Sequence, residues 1–98
     1  MKARSILDTK TVLTDGRIVQ RKVWQLPRAT AERPHGLKYR LYCGKGGVNI
    51  VRYDNETSKG DHRHVGAEEV ELPYSFESLA KLLADFARDI EEYSGAIE

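Results

Sequence analysis

Two glycine-bearing turn signals constrain this chain more than any other feature. Asp15-Gly16 separates β-branched runs at 3–14 and 17–26, and Gly44-Lys45-Gly46-Gly47 separates 37–43 from 48–53. Glycine supplies the left-handed backbone of hairpin turns, while flanking Val, Ile, Thr and Tyr suit pleated strand, so the pattern predicts antiparallel hairpins over 3–26 and 37–53. In the first, a two-residue loop sets Leu13 opposite Ile18 and Leu7 opposite Trp24 on one face, with Val12 opposite Val19 and Ile6 near Val23 on the other. In the second, a four-residue loop pairs Cys43 with Val48. That register sends Leu37, Tyr39, Leu41, Val48 and Ile50 to the core. It leaves Lys38, Arg40, Tyr42, Asn49, Val51 and Tyr53 on an open face, provided no glycine bulge intervenes.

Pro27 and Pro34 exclude a ladder-forming strand between the hairpins. Residues 54–72 read as a functional loop followed by one short, interrupted strand made of 62–65 and 69–72, with Gly66 as its bulge or break. Over 75–93, Leu79, Leu82, Leu83, Phe86, Ala87, Ile90 and Tyr93 recur at helical spacing, and Ser75 or Ser78 can cap the first turn after Pro73. Lys81, Asp85, Arg88, Asp89 and Glu92 are expected to face water. The fold class is therefore α+β: an antiparallel sheet of four or five strands from two hairpins, with one C-terminal amphipathic helix packed on one face.

The 98 residues form one domain, 1–98, with a core small enough that a partner or a homodimer is expected to contribute stability. A net charge of +1 beside 32% charged residues means that attraction to an acidic partner must come from clustering. The lone Cys43 lies in an apolar alternating run, which reads as a buried small hydrophobe in a reducing compartment. No segment approaches the roughly 18 consecutive apolar residues of a membrane span, and no signal-peptide apolar region follows the start, so no membrane partner and a cytoplasmic location are expected.

Chemistry concentrates in residues 51–64. Gly60-Asp61-His62-Arg63-His64 leaves a glycine turn for a strand, which sends His62 and His64 to one side and Arg63 to the other. Two imidazoles can act as proton acceptor and donor at neutral pH, while Arg and Lys hold a phosphate, and this suits RNA cleavage without a metal or cofactor. The expected catalytic groups are His62, His64, Asp61 and Arg40. Asp61 or Asp54 would orient an imidazole, and Lys38, Arg52, Tyr53 and Arg63 would bind nucleic acid. Three other readings stand beside this one. His-x-His is also a metal-ligand spacing, but it needs Asp54, Asp61, His35 or a Glu to complete it. The imidazoles can simply bond loop carbonyls. The same cationic, tyrosine-bearing face can also bind nucleic acid or protein without catalysis.

Leu37-Lys-Tyr-Arg-Leu, Val51-Arg-Tyr-Asp-Asn, Gly60-Asp-His-Arg-His, Leu72-Pro-Tyr-Ser-Phe and the helix segment at 83–86 together resemble the TumE family of bacterial toxin–antitoxin systems, over roughly residues 35–90. The resemblance implies the toxin of a type II pair, encoded beside a helix-turn-helix antitoxin that binds and silences it. The analogy to toxins that cleave messenger RNA makes RNA the expected substrate.

Overall fold

The computed structural model describes residues 3–31, 33–55 and 60–94. Strands β1 (Arg4–Val12), β2 (Ile18–Gln25), β3 (Leu37–Lys45), β4 (Val48–Asp54), β5 (His62–Val65) and β6 (Val70–Pro73) form one antiparallel sheet in chain order, and helix α1 (Leu79–Ser94) follows. The architecture is α+β, with six strands rather than four or five. The segment read as one interrupted strand is a hairpin. Gly66 and Glu69 take left-handed φ of 77° and 53°, and the Glu69 N–H donates to the Gly66 carbonyl at 3.1 Å. The chain reverses there and pairs Val65 with Val70.

Both other hairpins shift register from expectation, each for a local reason. Between β1 and β2 the loop is Thr14-Asp15-Gly16: the Leu13 N–H donates to the Arg17 carbonyl at 2.8 Å, and Gly16 at φ 94° donates to Leu13 at 2.9 Å. The extra loop residue sets Val12 opposite Ile18, Thr11 opposite Val19 and Leu7 opposite Val23. Between β3 and β4 only Gly46 and Gly47 turn, at φ 59° and 81°, the two left-handed residues of a tight hairpin, and Lys45 faces Val48. A bulge then adds one residue to β4, so that Gly44 faces Asn49 but Cys43 faces Val51. Because side chains alternate, that residue flips the rest of β4: Val51 and Tyr53 turn to the core, and Arg52 and Asp54 to the open face. A side chain at Gly44 would put its Cβ 1.9 Å from the Tyr42 hydroxyl oxygen and 2.9 Å from the Val48 carbonyl oxygen, so the bulge needs glycine here.

Ser78 caps α1, its hydroxyl accepting from the Lys81 N–H at 3.1 Å. The helix starts after residues 75–78, which have no regular structure, and Phe76 packs on His35 with ring centroids 3.9 Å apart and the rings tilted by 31°. Leu82, Phe86 and Ile90 pack on Val19, Val23, Tyr39, Leu41, Cys43, Ile50, Val51, Tyr53 and Val65 to make the core. Burial pushes the Cys43 thiol pKa up, in keeping with a packing role. Two helix residues expected in water are buried. Asp85 accepts from the Tyr74 hydroxyl at 2.7 Å and from Lys81 at 2.8 Å, and Asp89 is paired with Tyr53 and Arg63. They sit beside Phe86 and Ile90 at the margin of the apolar stripe, where Tyr74, just past β6, reaches Asp85 and the strand residues Tyr53 and Arg63 reach Asp89. Among the described residues, no helix is long and apolar enough to cross a membrane.

Candidate active site on the open sheet face

The face of the sheet opposite α1 is built from cross-strand rows. Arg40, Asp54, His62 and Pro73 lie side by side across β3 to β6, and Tyr42, Arg52, His64 and Glu71 form the next row. The strand alternation of β5 delivers both imidazoles to this face and Arg63 to the other. The two rings meet edge to face, with centroids 5.0 Å apart.

Arg52 is the hub of the cluster. Its Nε donates to Asp54 Oδ2 at 3.0 Å, one terminal nitrogen to Glu69 at 2.9 Å, and the other to His64 Nδ1 at 2.9 Å. A guanidinium has only donors, so His64 Nδ1 is the accepting nitrogen and Nε2 carries the proton, which it donates to Glu71 at 3.2 Å. The opposite tautomer logic holds for His62. Its Nδ1 lies 2.9 Å from the Gly60 carbonyl, an acceptor only, and therefore bears hydrogen. His62 Nε2 lies 2.7 Å from Asp54 Oδ1, in ion-pair range but not aligned as a hydrogen bond. Asp54 Oδ1 is buried yet receives no aligned hydrogen bond, which leaves it with acceptor capacity directed into the cluster.

The imidazoles are 7% and 11% exposed in their side chains, whereas Arg52 and Glu71, which hold His64, are 25% and 50% exposed. Arg52 and Glu71 therefore stand between the rings and solvent. Arg40 is exposed beside Asp54, and Lys38 lies 5.7 Å from the centre of the Trp24 ring.

Three residues of the expected site are elsewhere. Tyr53 is fully buried under α1 with its hydroxyl donating to Asp89, because the β4 bulge turned it inward, and it has no face to offer a base. Burial, and then the Asp89 bond, push its phenol pKa upward. Arg63 donates to the same Asp89 at 2.5 Å on the helix side, away from both imidazoles. Asp61 does not touch His62 or His64. It accepts from the Tyr39 hydroxyl at 2.7 Å and from His35 Nε2 at 3.1 Å, which ties the start of β5 to β3. The carboxylate against an imidazole is therefore Asp54, the other candidate orienter. Residues 56–59, part of the chemistry-rich stretch, lie outside the described residues.

Glu71 and Glu69 complete the cluster without having been singled out by number as site residues, and His35, named only as a possible metal ligand, instead holds Asp61. For Glu71 the available signal was strand alternation, which sends it to the His64 face once 66–69 is recognised as a turn. Each residue of the Arg52-Tyr53-Asp54-Asn55 motif has its own partner. Arg52 and Asp54 face the imidazoles and Tyr53 the helix. Asn55 extends the β3 ladder, accepting from the Tyr39 N–H at 3.0 Å and donating to the Leu37 carbonyl at 2.8 Å.

A metal can be weighed against this geometry. Asp54, His62 and His64 each offer a donor atom, all within 4.8 Å of one another. Arg52, however, already holds a full positive charge within about 3 Å of Asp54 and His64, and it occupies a His64 lone pair. The guanidinium thus stands against the same donors that a metal ion would take.

A family model described as Toxin TumE matches residues 2–94. The chain belongs to the TumE toxin family. No curated protein and no solved structure matches it significantly. Membership makes the chain a toxin and leaves its chemistry to be argued from the cluster. Both motifs that carry the family resemblance, Arg-Tyr-Asp-Asn and Gly-Asp-His-Arg-His, meet at this cluster through the pairing of Arg52 with His64 and of Asp54 with His62.

Proposed function

We propose that this toxin is a metal-independent ribonuclease that works at the His62–His64 cluster. The reading rests above all on two imidazoles at right angles on one sheet face with a guanidinium hydrogen-bonded to one of them. A phosphate of bound RNA draws Arg52 away from His64, with Arg40 and Lys38 as flanking cations. The freed Nδ1 lone pair then takes the ribose 2′-hydroxyl proton as the 2′-oxygen attacks phosphorus. The phosphorus–O5′ bond breaks, and a protonated His62, beside Asp54, passes its Nε2 proton to the departing oxygen. The products are a 2′,3′-cyclic phosphate and a 5′-hydroxyl, and no cofactor enters.

A toxin carried by a living cell requires neutralisation. We place a helix-turn-helix antitoxin in that role, in the cytoplasm, where messenger RNA is available. The exposed Arg40 and the Lys38–Trp24 contact also favour a second reading, a non-catalytic module that binds nucleic acid or protein on the same face.

Incubating the purified chain with single-stranded RNA in chelator separates the readings. Cleavage that persists in chelator, falls roughly a hundredfold or more in His62→Ala and in His64→Ala, and follows a bell-shaped pH profile is the expected result. Cleavage abolished by chelator and restored by a divalent cation would transfer the cluster to a metal. Retention of RNA without cleavage would leave the binding module.

A further inference from the structure

The outer edge of β1 is complementary to itself, and we propose that two copies of this chain pair there, β1 against β1, in an antiparallel register centred on Thr9. β1 is the long edge of the sheet, bonded to β2 on one side only, and all its residues except Leu7 are exposed. The Leu13–Arg17 hydrogen bond sets the alternation along it. Thr11, Thr9 and Leu7 turn their backbone groups toward β2, and Val12, Lys10 and Asp8 turn theirs outward. The outward set is free to form a second ladder.

Charge selects the register. Among the described residues, neither the Asp8 carboxylate nor the Lys10 ammonium has a hydrogen-bond or ion-pair partner, although they lie two residues apart on one face. A ladder centred on Asp8 would oppose two aspartates, and one centred on Lys10 two lysines. Centring on Thr9 instead sets Asp8 against the second copy's lysine and Lys10 against its aspartate, within the regular part of the strand that follows the bulge at Ile6. Val12, on the same face as Asp8 and Lys10, is 64% exposed in the single chain. A charge that only protects an edge repels any strand of like sign. One charge of each sign spaced about a central Thr makes the edge complementary to its own copy.

The twofold axis of such a ladder stands perpendicular to the sheet. Both α1 helices then cover one side of a continuous sheet, and both Arg52–His64 clusters open on the other. An extended chain of nucleotides lying along that face would meet both.

Sedimentation of the purified full chain tests the pairing. The wild type is expected to be a dimer. Lys10→Asp, which faces uncharged Gln20 within its own hairpin, sets aspartates together at both ends of the ladder and should raise the dimer dissociation constant roughly tenfold or more with the circular dichroism unchanged. The double exchange Asp8→Lys with Lys10→Asp restores opposite pairs and should restore the dimer. A monomeric wild type, a Lys10→Asp chain that dimerises undiminished, or a folded double variant that stays monomeric would each overturn the proposal. The first of these would reserve the edge for a strand of a different protein.

Discussion

Arg52 donates to His64 Nδ1 at 2.9 Å and to Asp54 Oδ2 at 3.0 Å, so one side chain determines the tautomer of one imidazole and neutralises the carboxylate beside the other. This gives Arg52 two separable duties. Arg52→Ala should abolish phosphate capture and leave the nearly buried Asp54 without its cation. We expect RNA cleavage to fall at least a hundredfold and stability to fall by about 1 to 3 kcal/mol. Arg52→Lys keeps the charge but lacks the fork that reaches Asp54, Glu69 and His64 together, so its rate should lie between the two. Rates and thermal melts of both variants check this, and a Lys variant as active as the parent would reduce Arg52 to a point charge.

Asp54 and Asp61 should behave oppositely although they flank the same short segment. Asp54→Asn changes the group in contact with His62 Nε2 and should lower the cleavage rate with the melting temperature nearly unchanged. Asp61→Asn weakens the anchor to Tyr39 and His35 and should lower the melting temperature while each folded molecule keeps its rate. Rates normalised to folded fraction decide between them. A rate loss confined to Asp61→Asn would move the orienting role back to that residue.

How far the chain could be read in advance follows from where its signals are local. The hairpins were legible because Gly16, Gly46 and Gly47 announce turns, and the helix because its stripe repeats over several turns. His62 and His64 could be placed on one face because strand alternation needs only the sequence. Tyr53 was misplaced by a single bulge residue near Gly44, since one residue reverses everything beyond it and nothing local distinguishes a four-residue loop from a two-residue loop with a bulge. Asp85 and Asp89 looked solvated because helical spacing reports a residue's angle about the axis, not the donors that Tyr74 after β6 and Tyr53 and Arg63 in the sheet bring to them. Glu71 joined the cluster only through the β5–β6 pairing, a contact between strands whose turn at 66–69 was read as a break.

The Asp89 arrangement is structural, and its loss should be costly without touching the chemistry. Asp89 is 1% exposed and takes both the Tyr53 hydroxyl and the Arg63 guanidinium on the helix side of the sheet. Asp89→Ala would strand a partly buried cation and a buried phenol, so we expect a loss of about 3 to 5 kcal/mol. Chemical denaturation measures the loss, and cleavage per folded molecule should be unchanged because the His62–His64 cluster lies on the other face. A variant that stays stable but loses cleavage would place this network in the active machinery.

The tyrosines predict how the fold fails at high pH. Burial is the largest cause raising the pKa of Tyr39, Tyr53 and Tyr74, and each is pushed further up by the carboxylate its hydroxyl meets, Asp61, Asp89 and Asp85 respectively. An unfolded tyrosine ionises near pH 10, so below that value both states keep the proton and the stabilisation is fully present. As pH rises above about 10, the unfolded chain releases protons that the native state retains, and stability falls by up to about 1.4 kcal/mol per pH unit for each protected tyrosine. Unfolding followed by circular dichroism should therefore coincide with the tyrosinate absorbance of these residues in one transition above pH 10. Tyr74→Phe offers the sharpest check, because Asp85 keeps Lys81 and Arg88 as partners and the variant should fold. It should lower the proton release that accompanies unfolding and make the alkaline decline shallower. Tyrosinate absorbance that rises fully near pH 10 with the native dichroism intact would mean that the three phenols are not held as this structure holds them.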